Sequence, residues 1–517
     1  MLAPMRLAFA LLALCAVLVA QTPNVAVVPI ALSGTEPEDR AFVEVAAAAA
    51  GFHEAPLLAW DGSDTAPLVA ALRARDPVPD HVLFVVRPER FDITLHRRLL
   101  LALRGLDADP FVDAAFGYLT ARNGAALAAS WRRTVALHRD GLASRTWHSA
   151  GVASGMKSAI YRSNRSALEQ AAGFSGDSFY FGTIENDPDV RTFVTDALPK
   201  LARAAVLEWS GNGDPQGIWL FDGQRNLDPS GHWSYDPARV GEDPHGEMPR
   251  LTADLVRSMR LDRTVVWSGT CHSAATHRVL LEGDIVATFG RAPAGTVHTL
   301  PLEQSLALAF LDAGAAALLA PVGPNHGMSA MRESEFALRH RATLGEAIKS
   351  TWDDVVLAAG GGLRLDLLVD GKIVAAGESV MQGGGANRVL LGDPTLRPFA
   401  AAVDSRQTVQ VVRLDGGGFD VEVRWMDGFH ARAWDMFGED HTRGACVPVR
   451  IAVDDLLPAT ALEVRAELLA ARTTAGFAFT HARLERFAGR RFLHLQANAD
   501  RTLVDGKEQS VVFRVLP

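Results

Sequence analysis

Two long tracts of this chain alternate short apolar runs with amphipathic stretches, and the alternation ends near residue 400. In the first tract VAVVPIAL and HVLFVV read as strands. VEVAAAAAGF, PLVAALRARD and ITLHRRLLLALRGL carry the spacing of helices. Strands that alternate with helices require a parallel sheet, because each crossover helix must lie on a sheet face and bury its apolar stripe there. The second tract, about 190–398, repeats the pattern. Ala204 to Trp209, Thr264 to Gly269 and AAALLAPVG are strand runs. Leu251, Leu255 and Met259 predict a helix opened by Pro249. Leu302, Leu306 and Phe310 predict one that ends at Gly314. Thr343 and Glu346 have capping-box spacing ahead of Ile348, Trp352 and Val356. RNGAALAASWRRT predicts a helix beginning near Asn123, and VRTFVTDALPKLA one that Pro199 ends or kinks. The stretch from about 137 to 182, rich in Ser, Gly and Arg, reads as a loop or an inserted segment.

After about Ala400 the period becomes two. Phe419, Val421, Val423 and Trp425 alternate with Asp420, Glu422 and Arg424, and Val449, Ile451 and Val453 alternate likewise. This predicts an antiparallel β-sandwich of immunoglobulin-like size. At 517 residues the chain exceeds the roughly 250–300 that one core serves, so several units are expected. The expected division is a signal peptide over 1–20, an N-terminal α/β subdomain over 21–125, a connecting segment over 126–182, a second α/β subdomain over 183–399 and the sandwich over 400–517. MLAPMRLAFALLALCAVLVAQTP supplies the signal: Arg6 is the charged start, Leu7 to Ala20 the apolar stretch and Ala20 a small residue for cleavage. That run is too short to span a bilayer, so the mature chain is expected to be secreted, periplasmic or in the cell envelope, without an integral membrane span. A net charge of -9 provides no basic surface for phosphates, which argues against nucleic acid as a partner.

Three strand runs of the second tract end in polar, glycine-bearing loops: SGNGDPQGIW, TCHSAA and PNHGMSA. Open parallel sheets bind ligands outside the carboxyl ends of their strands. If these three strands are neighbours, Asn212, Cys271 and His326 share one edge. A thiol there suits covalent acyl transfer, with a histidine to hold its proton and a glycine loop to present N–H groups to an oxyanion. A buried structural cysteine remains the alternative. Zinc ligation by Cys271, His272 and His277 matches no common spacing, so no metal centre is assigned. His272, next to the thiol, is expected to meet solvent or cap a helix. Asp214, beside Asn212, is a candidate contact for a basic substrate side chain, with surface solvation as the alternative.

The order of these pieces resembles the gingipain family, within the caspase-like superfamily of cysteine peptidases. The family has a glycine–histidine–glycine loop followed by a tryptophan, matched here by Gly211, Asn212, Gly213 and Trp219. Its nucleophile ends the next strand, where Cys271 stands. DPFVDAAFGYLTARNGAAL is similar to the segment joining its subdomains, and FLDAGAAALLAPVG, LGEAIKSTWDDVVL and LLGDPTLRP to its later strand, helix and closing motif. The resemblance implies a caspase-like parallel sheet covered by helices, in two subdomains, with an immunoglobulin-like domain behind it. It implies a protein or peptide substrate and an oxyanion hole from the N–H groups of Gly213 and Cys271. Trp219 and His272 join Asp214 as substrate-binding candidates. No organic cofactor is implied, and structural calcium is common in the family. One position departs: the family's general-base histidine falls on Asn212, and an amide cannot act as acid or base near neutral pH. Three readings follow: another histidine serves, with His326 the best placed and His245, His272 and His298 behind it; the Asn is a substitution in an otherwise intact site; or the chain is a peptidase-fold protein that binds without cutting.

Overall fold

The computed structural model describes residues 23–152, 173–181, 196–211, 213–219, 250–280, 297–325, 329–358, 367–369, 372–375, 385–400, 407–415, 417–425, 446–472, 477–499 and 509–517. The signal segment 1–20, Asn212, His245 and His326 lie outside these residues. Nine strands make the central sheet: β1 (Val25–Pro29), β2 (His81–Val85), β3 (Ala115–Leu119), β4 (Trp147–Val152), β5 (Ser178–Phe181), β6 (Val206–Ser210), β7 (Thr264–Ser268), β8 (Ala315–Pro321) and β9 (Arg388–Leu391). Their order is β1-β2-β3-β9-β8-β7-β6-β4-β5. β1, β2 and β3 are mutually parallel, and β8, β7, β6, β4 and β5 are mutually parallel. β9, the closing LLGDPTLRP motif, runs antiparallel to β8 with Leu391 opposite Leu318, and it touches β3 through one pair, Leu391 with Tyr118. The last of these nine strands in sequence therefore joins the two α/β tracts, which share one sheet.

Most of the described helices form where the apolar spacing predicts. They are α1 (Pro37–Phe52), α2 (Ala66–Arg73), α3 (Ile93–Leu103), α4 (Gly124–Asp140), α5 (Ala253–Ser258), α6 (Leu306–Ala313), α7 (Ser329–His340) and α8 (Leu344–Ala358). Local chemistry fixes their starts. Asn123 Oδ1 accepts from the Ala126 N–H at the head of α4, and Ser305 Oγ accepts from Leu308 at the head of α6. At α8 the capping box closes in both directions: Glu346 N donates to Thr343 Oγ1 at 3.0 Å, and Thr343 N to Glu346 Oε2 at 2.7 Å. Gly314 ends α6 at φ 121°, with its would-be Cβ 1.8 Å from the Leu261 carbonyl, so no larger residue fits.

Two local expectations change. The stretch expected to be a loop or insert supplies β4 and β5. β4 takes its ladder from β6, a partner far off in sequence, β5 pairs with β4, and the short runs carry little periodicity of their own. The helix expected from Pro249, which lies outside the described residues, begins later: Leu251 sits in a short strand, 250–252, and Thr252 caps α5. Pro199 lies in a helical turn, Leu198–Leu201, and residues 190–195 of the helix it was expected to end or kink lie outside the described residues.

Beyond residue 400 the period-two segments form two antiparallel sheets. One contains β10 (Gln407–Arg413), β11 (Phe419–Trp425), β16 (Gln509–Leu516) and β13 (Arg465–Arg472). The other contains β12 (Cys446–Ala452), β15 (Arg490–Ala499) and β14 (Phe477–Phe487). Phe419, Val421, Val423, Leu493, Leu495 and Phe513 fill a shared core. A buried charged cluster joins this module to α8. Lys349 binds Asp353 at 2.6 Å and also contacts Glu485 of β14. Glu485 in turn accepts from Arg450 at 2.9 Å and His494 at 2.6 Å. Phe111, which follows α3, stacks on the His494 ring at 4.3 Å. No helix among the described residues is long and apolar enough to cross a membrane.

Candidate active site at the carboxyl ends of the central strands

β8, β7 and β6 are adjacent and parallel, so the three glycine-bearing loops leave the sheet at one edge. Cys271 follows β7 there. It is half-buried, and its thiol lies against the backbone of Asn325, which follows β8: Asn325 N donates to Sγ at 3.3 Å, and Sγ donates to the Asn325 carbonyl at 3.4 Å. The Asn325 side chain ties the loops again, donating to the Gly269 carbonyl at 3.0 Å. From the β6 side Gly213 presses on the same loop. A Cβ there would lie 2.3 Å from Thr270 Cγ2 and 2.6 Å from the Gly217 carbonyl. Only glycine allows the two loops this approach. Burial pushes the Cys271 thiol above its ordinary pKa, and the Asn325 N–H offsets part of that. Among the described residues no imidazole bonds to the sulfur.

A buried polar scaffold holds this edge from below. Ser268, the last residue of β7, shares a 2.7 Å hydroxyl contact with Ser273 and accepts the Thr270 N–H. Its carbonyl accepts from Arg388 Nη1 at 2.8 Å. Arg388 opens β9 and grips Glu333 of α7 through Nε at 2.5 Å and Nη2 at 2.7 Å, with both side chains fully buried. Thr351 of α8 donates to the same carboxylate at 3.1 Å. A chain of bonds thus runs from α8 through Glu333 and Arg388 to the strand that carries Cys271.

The other sequence candidates divide. Asp214 is buried, and its Oδ1 accepts from Gln216 N at 2.8 Å and Gly217 N at 3.1 Å. It holds the turn between the strands 213–214 and 217–219, so surface solvation does not describe it. His272 does not meet solvent. It is 2% exposed, adopts φ 56°, and donates its N–H to the Gly323 carbonyl at 2.9 Å. Burial lowers its pKa to about 4, so the ring is neutral near pH 7. Trp219 pairs through its backbone with Arg250. His277 donates through Nδ1 to the Leu300 carbonyl, away from a shared ligand set with Cys271. A cavity of about 300 Å³ lies between the end of β1 and the strand after the Cys271 loop, with Asp92, Arg98, Arg278 and Val297 among its walls.

Sequence reasoning passed over Asn325, Arg388 and Glu333. Asn325 stands beside the histidine that drew attention in PNHGMSA. Arg388 gave one signal, a charge at the head of the apolar run RVLL. Glu333 gave none, since an acid in an amphipathic helix reads as surface.

No protein-family model matches the sequence, and no curated protein matches it. Solved structures do. The chain is similar to the Arg-specific cysteine proteinase gingipain R (RgpB) at 11% identity and a TM-score of 0.44, over 78% of this chain and 85% of that one. It is similar to the complex of Porphyromonas gingivalis RgpB pro- and mature domains at 12% identity and a TM-score of 0.41, over 77% and 85%. A structure described as a protease matches at 10% identity and a TM-score of 0.42, over 95% of this chain and 94% of that one. At these identities the likeness concerns fold alone.

Proposed function

We propose that this chain is an exported cysteine endopeptidase with Cys271 as nucleophile. One observation carries the reading: a half-buried thiol sits at the carboxyl-end edge of three adjacent parallel strands, held by the backbone of the neighbouring loop. In this reading the Cys271 sulfur attacks the scissile carbonyl. The N–H groups of Gly213 and Cys271 receive the oxyanion, and the thiol proton passes to a base and on to the leaving amine. The raised thiol pKa means that Cys271 needs such a base at neutral pH. His326 is the candidate, because it follows directly on Asn325, whose backbone contacts the sulfur. Trp219 remains a candidate for the substrate wall, and the two-sheet module beyond residue 400 is read as immunoglobulin-like.

The calcium that the resemblance implies finds a fitting acidic group near α3. Asp107, Asp109 and Asp113 bring carboxylate oxygens within 4.8 Å of one another. Asp113 Oδ1 is a buried oxygen with no partner. Burial, with repulsion from Asp107, pushes Asp113 up to about 8. A hard cation would relieve that repulsion.

Incubating the mature protein with a mixed peptide library, reduced and with calcium, tests the proposal. Cleavage that disappears in Cys271→Ala and falls steeply in His326→Ala is expected. Absence of cleavage favours a second reading, a peptidase-fold binding protein. Asn212 at the family's histidine position and the unactivated thiol support that reading.

A further inference from the structure

Away from the thiol edge, two histidines from separate helices converge on one carboxylate oxygen. His53 follows α1 and His138 lies in the last turn of α4. Their Nε2 atoms stand 2.8 and 2.9 Å from the same Oδ2 of Asp393, which follows β9. Asp393 is fully buried. Its other oxygen is pinned by the Thr395 N–H and hydroxyl, both at 2.9 Å. Among the described residues no lysine or arginine pairs with it, so the two imidazoles are its only side-chain ionic partners. Phe52 packs edge-on to His53 and lies 5.2 Å from His138, and Trp131 closes the third side. The imidazoles keep a way out to water: the side chains of His53 and His138 are 9% and 18% exposed.

From this convergence we propose that His53, His138 and Asp393 form a binding site for a zinc-class divalent cation, clamping α1 and α4 to the segment after β9. The donor set, two imidazole nitrogens and one carboxylate oxygen, suits zinc. A tetrahedral ion with ligands at about 2.0–2.1 Å sets them about 3.3 Å apart. The present N-to-O spacings need to open by only about half an ångström to reach that. A fourth position is left for water, which the partial exposure of His138 admits. Binding costs the imidazoles their Nε2 protons. A neutral ring moves its proton to Nδ1 through solvent, and a charged ring releases one, so affinity rises with pH. The Thr395 bonds supply the second shell that keeps the carboxylate aimed. The other buried set of this kind, Asp353, Glu485 and His494, contains Lys349 and Arg450, which already neutralise it and leave no need for a cation.

The test uses the full mature chain after chelation. Titration with Zn²⁺ is expected to saturate at one equivalent, and Co²⁺ is expected to give the intense visible bands of four-coordination. His138→Ala and Asp393→Asn are each expected to weaken binding about a hundredfold or more. If those variants do not fold, the wild-type protein still decides the matter. Diethylpyrocarbonate labelling, mapped by mass spectrometry, is expected to lose His53 and His138 when Zn²⁺ is added. No stoichiometric Zn²⁺ binding overturns the proposal, as does binding that leaves both histidines open to the reagent. The assignment is independent of whether Cys271 cuts peptides.

Discussion

The Arg388–Glu333 pair under the thiol loop allows a quantitative prediction. Both side chains are fully buried, joined by two charge-assisted bonds of 2.5 and 2.7 Å, and Arg388 also holds the Ser268 carbonyl at 2.8 Å. Glu333→Gln keeps the shape but leaves a cation sealed in the core with no carboxylate paired to it among the described residues. Removing one member of such a pair costs about 3–5 kcal/mol, mostly the desolvation of the ion left behind. Arg388→Met strands the carboxylate instead, with the Thr351 hydroxyl as its remaining side-chain partner, and costs a similar amount. Glu333→Leu with Arg388→Met removes both charges and fills the space with apolar atoms, so it is expected within about 1 kcal/mol of the wild type. The cycle closed with the Glu333→Leu single, Arg388→Met and their double then shows a coupling of about 3 kcal/mol or more. Urea unfolding read by tryptophan fluorescence suits the measurement, because Trp209, Trp267 and Trp352 are fully buried in this core and Trp352 Nε1 donates to the Arg388 carbonyl. Alkylation of Cys271 gives a local readout and should accelerate in each single variant as β7 loses its anchor. The reasoning is refuted if a single variant loses less than about 1 kcal/mol, or if the double variant is no more stable than the singles.

Other consequences can be checked separately. Gly213→Ala drives a methyl into Thr270 and the Gly217 carbonyl; a loss of about 1–3 kcal/mol is expected, with altered Cys271 labelling, and an unchanged melting temperature would contradict it. Thr343→Ala opens the α8 capping box and its 3.1 Å contact with His81, costing about 1 kcal/mol in denaturant unfolding. Burial holds the His96 and His272 rings neutral, with pKa values lowered to about 3 and about 4. The unfolded chain titrates them near 6.5, so it binds more protons below that pH. Their stabilisation is complete above about pH 6.5 and drains as pH falls toward the folded values, a slope that His96→Gln should reduce. Calcium should raise the melting temperature of the wild type more than that of Asp113→Asn, if the acidic group near α3 binds it.

The amino-acid order alone determined what depends on neighbours in the chain. Helices α1 to α4 and α8 were legible because apolar spacing and cap residues act within a few positions: Asn123 and Thr343 each bond the backbone three residues on. The change from helix-and-strand alternation to period two marked the second core for the same reason. Adjacency of the strands that carry Gly213, Cys271 and Asn325 could be posed as a condition but not decided, because pairing joins segments far apart in sequence. Tertiary structure decided the rest. It placed β9 between the two α/β tracts and drew β4 and β5 out of a stretch without periodicity. It turned Asp214 inward to a turn and buried His272, positions that sequence left at the surface. It also assembled Arg388 with Glu333, and His53 with His138 and Asp393. A charge gives the same letter on a surface or in a core. Only the partner brought to it by the fold determines whether burial is tolerated, and that partner can lie hundreds of residues away, as Asp393 does from His53.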